Sequence, residues 1–147
     1  MGATKAELEQ FERRLGVGPR KPILRSDRTK LEDRFDRAWS AYTADEGHGH
    51  RLATPELAPF TDRPRMRLDR AWPVSKVAVE IHGGTWSGGR HVSGAGFQRD
   101  CEKRCLAARD GWALFEFTAD MVKADEWYRI LAETIDRRYR LGERHHE

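Results

Sequence analysis

Cysteine is scarce in this chain: its 147 residues hold only Cys101 and Cys105. Four positions apart, the two would share one face of a helix, at a spacing that regular helix geometry does not bridge without strain. This argues against a disulfide scaffold and fits a reducing, cytoplasmic compartment. Long apolar runs are missing too. Nothing approaches the ~20 consecutive apolar residues that cross a bilayer, and the opening MGATKAELEQ lacks the apolar segment of a signal peptide. A cytoplasmic protein with no membrane contact is expected. Charge of one sign is also in short supply, because 27 Lys and Arg against 24 Asp and Glu leave a net +3. That is a weak pull toward an acidic partner such as nucleic acid. The arginines strengthen it, since guanidinium groups grip phosphate bidentately.

What is present suffices for one core. The length suits a single domain. Hydrophobic residues make up 38% of the chain and charged ones 35%, so an ordered centre with polar ends is expected. Five Trp and six Phe give that centre bulk.

Residues 4–15 have helical spacing, with Thr4 as a cap and Gly16 and Gly18 as the stop. The stretch 17–30 is a basic, proline-bearing linker, either a solvated tether or a phosphate-tracking arm. Residues 31–43 carry an apolar stripe of Leu31, Phe35, Ala38, Trp39 and Tyr42, with Glu32 at its edge. The loop 44–55 holds His48 and His50, which without further ligands nearby read as surface residues rather than a metal site. A short strand weakened by Pro59 is expected within 56–63. Strands over 65–71 and 76–82, joined at Trp72-Pro73, read as a hairpin. A helix over 95–109 would bury Phe97, Cys101, Cys105 and Ala108 and end at Asp110-Gly111. A strand over 112–118 and a helix over 120–139 follow, the latter burying Val122, Trp127, Ile130, Leu131 and Ile135. Trp72, Trp86 and Trp112 read as packing residues. The expected division is an N-terminal helix and linker over 1–30, a domain over 31–140 and a frayed tail over 141–147. The fold class is α/β, with helices packed on a small mixed sheet.

The stretch VAVEIHGGTWSGGRH, residues 77–91, is an unusual piece of core. Val77, Val79 and Ile81 alternate with Ala78, Glu80 and His82, so two ionisable side chains share one strand face. Across the hairpin, Asp69 can lie beside Glu80. Two carboxylates that close raise each other's pKa unless a cation intervenes. A hard divalent ion, Mg²⁺ or Mn²⁺, relieves the repulsion and prefers oxygen ligands; the bland alternative is a solvated acidic face. His82 could serve as general base, metal ligand or phosphate donor. The loop 83–96 offers glycine amides and Arg90, which suit a phosphate.

These residues carry a resemblance. The segments LDRAWP (68–73), VEIHGG (79–84), GGRH (88–91), GAGFQRDCEK (94–103) and GWALFEFT (111–118) resemble the PD-(D/E)xK, restriction-endonuclease-like nucleases. They are most similar to the small bacterial and phage branch related to very-short-patch-repair endonucleases. The resemblance covers about fifty continuous residues (69–118), and helix 31–43 resembles the family's leading helix. It implies a restriction-endonuclease-like core and a metal-dependent DNA endonuclease using Mg²⁺ or Mn²⁺. Asp69 and Glu80 would be metal-binding carboxylates, and Glu32 an auxiliary acid. The signature's third position, usually lysine or in this branch often an acid, falls on His82. Lys103 could supply the missing cation as a migrated lysine, or it could form a surface ion pair with Asp100. Arg90 and His91 would face the nucleic acid. A homodimer or partner subunit is compatible with the resemblance. The alternative function is a nuclease-fold DNA-binding module without catalysis, or a partner-dependent subunit.

Overall fold

The structure, a computed structural model, describes residues 29–44, 49–83 and 94–143. The helix expected over 4–15, the linker up to residue 28, and His48, Trp86, Arg90 and His91 lie outside these residues, while Thr29 and Lys30, expected in the linker, open the first helix. Three helices are described: α1 (Thr29–Thr43), α2 (Gly94–Arg109) and α3 (Asp125–Glu143). The strands are β1 (Thr54–Leu57), β2 (Leu68–Trp72), β3 (Val77–His82) and β4 (Ala113–Thr118). Short 3₁₀ turns cover Gly49–Arg51 and Met121–Lys123.

The strands form one sheet in the order β1-β2-β3-β4. The first three pair antiparallel and β4 pairs parallel to β3. A parallel neighbour needs a crossover connection, and α2 lies within it. The expected hairpin is present, closing with Trp72 opposite Val77. In its turn, the Lys76 N–H donates to the Pro73 carbonyl at 3.2 Å. The end of α2 follows from Gly111, whose φ of 77° is left-handed. The Trp112 and Gly111 amides donate to the Ala107 and Ala108 carbonyls at 2.8 and 3.3 Å, a Schellman closure that satisfies the helix's last carbonyls.

The two faces of the sheet differ. One packs Trp72, Val77, Val79 and Phe117 against Phe35 and Trp39 of α1 and Tyr128, Leu131 and Ile135 of α3. Phe35 meets Phe117 edge-on, with ring centroids 5.4 Å apart. Burying such side chains stabilises the fold by about 1.5–3 kcal/mol each. On the other face, Ala71 and Ala78 cluster with Ala107 of α2, and Leu106 and Leu114 pack around them. Farther along the same strands the residues become Asp69, Glu80 and Glu116. The end of this face away from the hairpin turn is charged.

That charge explains a correction. The stripe expected to be buried on α2 faces outward: Phe97 is 58% exposed, and Cys105 and Ala108 are exposed. The inward residues are Ala107, Leu106 and Lys103, because the N-terminal half of α2 covers charged strand residues and meets them with a cation. His50 is also not a surface residue. It is buried, its Nε2 lies 2.9 Å from Asp136 Oδ1, and its ring stacks on Tyr139 with centroids 4.3 Å apart. Tyr42, at the end of the α1 stripe, is 38% exposed. β1 begins at Thr54 and ends before Pro59, earlier than expected, while α3 extends to Glu143 within the stretch read as a tail. No helix among the described residues is long and apolar enough to cross a membrane.

Candidate active site

Registers across the sheet align acids. Pro55 faces Arg70 and Leu57 faces Leu68, so Glu56 falls opposite Asp69. Arg70 faces Val79, so the next step of that ladder sets Asp69 opposite Glu80. Glu80 in turn faces Glu116. One row of carboxylates therefore crosses all four strands.

Asp69 and Glu80 are both buried, and each binds the other's strand. The Asp69 N–H donates to Glu80 Oε1 at 3.2 Å, and the Ile81 N–H donates to Asp69 Oδ2 at 2.8 Å. The other Glu80 oxygen, Oε2, accepts from Lys103 Nζ at 2.5 Å. Of the two partners open to Lys103, the structure therefore gives it the strand acid rather than Asp100. Burial pushes the Glu80 carboxyl up and Asp69 adds to this; Lys103 opposes both, and the net direction is upward.

A second group of acids adjoins the first. Carboxylate oxygens of Glu32, Glu56 and Asp69 lie within 4.8 Å of one another. Glu32 comes from α1 and Glu56 from β1, where φ is 52°, a left-handed backbone that costs a non-glycine residue about 1–2 kcal/mol. Arg70 braces this corner from a buried position. Its Nε and Nη2 grip Asp36 at 2.7 Å each. Its Nη1 reaches Glu32 Oε2 at 3.4 Å and the Asp69 carbonyl at 2.6 Å. Burial works against the Arg70 charge, but Asp36, Glu32 and Asp69 outweigh it and hold the guanidinium ionised.

Sequence reasoning brought together Asp69, Glu80, Glu32 and Lys103, and the structure sets all four in one neighbourhood. Two differences stand out. Glu80 is not among the three clustered carboxylates; Glu56, which the sequence reading passed over, is. His82 keeps to the same face as Glu80, but its Nε2 lies 3.1 Å from Glu116 Oε1. Arg104 of α2 holds that same acid at 2.7 Å, and it is the first cause of Glu116's lowered pKa. Neither Arg70 nor Glu116 was singled out from sequence. The signal for Glu56 and Glu116 was available as register arithmetic, once the strand order was known.

No protein-family model, curated protein or solved structure matches this chain.

Proposed function

We propose that this protein is a metal-dependent DNA endonuclease of the PD-(D/E)xK type, hydrolysing phosphodiester bonds. The observation that carries the reading is the contact of Lys103 with Glu80 at 2.5 Å, beside an Asp69 that shares amide bonds with Glu80. Two acids on adjacent strands with an ammonium against one of them supply the acid, acid and lysine that the resemblance implies. Here the lysine comes from a helix, and His82 stands aside on Glu116.

The clustered oxygens of Glu32, Glu56 and Asp69 form an all-carboxylate donor set, which fits Mg²⁺ or Mn²⁺ better than a softer ion. A bound ion would supply a polarised phosphoryl oxygen and a water of lowered pKa. The chain's own groups do the rest. Lys103 helps keep Glu80 ionised and can donate to a phosphate oxygen. Glu80, with its raised pKa, is suited to accept a proton from the attacking water. The water oxygen bonds to phosphorus, the bond from phosphorus to the leaving sugar oxygen breaks, and that oxygen takes a proton from solvent.

Supercoiled plasmid incubated with Mg²⁺, with Mn²⁺ or with chelator tests the reading. Metal-dependent nicking or linearisation by the wild type, lost in Glu80→Gln and Lys103→Met, is the expected result. Equal cutting by Glu80→Gln would move the chemistry elsewhere. DNA binding without cutting in any condition would favour the inactive binding module.

A further inference from the structure

We infer that an arginine-lined groove beside the acid row holds the phosphodiester backbone of the DNA strand that enters the site, an inference that rests on the nuclease reading. The groove has a volume of about 670 Å³ and lies between the β1–β2 connection and the N-terminal half of α2. Arg63 and Arg65 line it from the connection, and Gln98 and Arg99 from the helix, with Pro64 and Met66 between them. Guanidinium groups from two separate elements face one channel, as a phosphate backbone requires. The apolar surface of Pro64 and Met66 suits the sugar edges between phosphates.

Two acids also line the groove, and each is engaged. Arg109 grips both oxygens of Asp62 at 2.8 and 3.0 Å and lowers its pKa to about 2. Glu102 accepts from Gln98 at 3.0 Å along the helix. Among the described residues, neither Arg65 nor Arg99 is committed to an ion pair. Both are exposed.

The two elements that line the groove also carry residues of the site. Met66 precedes Asp69 by three positions on the chain, and Arg99 precedes Lys103 by four on α2. About one turn of helix therefore separates a side chain in the groove from the one that contacts Glu80.

Anisotropy of a fluorescein-labelled duplex, titrated across KCl concentrations in chelator, tests the assignment. Each lost phosphate contact lowers the slope of log affinity against log salt by about 0.9. The double variant Arg65→Ala/Arg99→Ala should therefore lose about 2 from the slope and bind at least about tenfold more weakly. Arg65→Lys/Arg99→Lys should restore most of the slope. The substitutions are at exposed positions, and a thermal melt checks that each variant folds. A double alanine variant with wild-type slope and affinity overturns the groove. If the wild type still cuts plasmid with Mg²⁺ in that case, the nuclease reading stands without it. A wild type that neither binds nor cuts DNA overturns both.

Discussion

Lys103 of α2 and Glu80 of β3 meet at 2.5 Å, with side chains only 13% and 10% exposed. The contact joins the crossover helix to the strand it covers. It offsets the burial of Glu80 and the repulsion from Asp69 without cancelling them, since the carboxyl remains pushed upward. Ionising a carboxyl in that condition comes at a cost to the fold.

The cost has a definite pH dependence. Because the folded-state pKa of Glu80 is raised, its charge lowers stability above that pKa, and the penalty fades as pH falls through it toward the ordinary value of 4.5. Glu80→Gln is expected to melt at or above the wild-type temperature at neutral and mildly alkaline pH, with the gap closing toward pH 4.5. Lys103→Met removes the opposing cation and should lower the melting temperature, most strongly at alkaline pH. A pH series of thermal melts checks both signs.

Metal linkage separates the acids. Mg²⁺ or Mn²⁺ should raise the wild-type melting temperature, because a ligand at 100 times its dissociation constant stabilises by about 2.7 kcal/mol. Glu56→Gln and Asp69→Asn should lose most of that shift. Glu116→Gln should keep it, since Glu116 is bound to Arg104 and His82 and lies outside the cluster of three. Differential scanning fluorimetry across metal concentrations reads the difference.

Asp136 anchors the turn at Gly49–Arg51. Burial raises its pKa, but Arg51 and His50 more than offset this and bring it down to about 2 from 3.8. The stability it contributes is present above 3.8 and is lost as pH falls through about 2. Asp136→Asn should cost about 2 kcal/mol at neutral pH, with the gap from wild type closing in acid. Urea unfolding followed by tryptophan emission suits the test, because Trp39 and Trp72 both donate to the Arg51 carbonyl, at 2.9 and 2.8 Å.

Gly111 isolates a backbone effect. An added Cβ there meets nothing within 4 Å, yet φ is 77°. Gly111→Ala should therefore destabilise by about 1–2 kcal/mol through conformation alone, measured as a lower urea midpoint with an unchanged slope.

The hairpin and the helices were legible because their periodicity and turn residues agree. Trp72-Pro73 marks the turn, and Phe35 and Trp39 mark the buried side of α1. Asp69 and Glu80 were legible as a pair because antiparallel strands flanking a short turn fix their register. The buried side of α2 was not legible. A hydrophobic stripe identifies a core face only where the partner surface is apolar, and α2 meets strand ends that carry Glu80 and Glu116 through Lys103 and Arg104, leaving Phe97 outside. Glu56 was hidden for a different reason. Pro59 and the weak strand around it drew attention away, and a left-handed glutamate leaves no mark on composition. Arg70 alternates with Asp69 and Ala71 like any strand residue, and nothing local says that it is buried against Asp36.

The two buried acids of the site also stitch β2 to β3 at the open end of the hairpin. The amides of Asp69 and Ile81 rely on Glu80 and Asp69 for their partners. A ligand that draws either carboxylate away leaves one of those amides bare, and the rung frays. Amide hydrogen exchange at these two positions would then act as a built-in gauge of occupancy. It would also make truncation to alanine a poor probe here, because cutting off either side chain would unpick the hem of the sheet along with the chemistry.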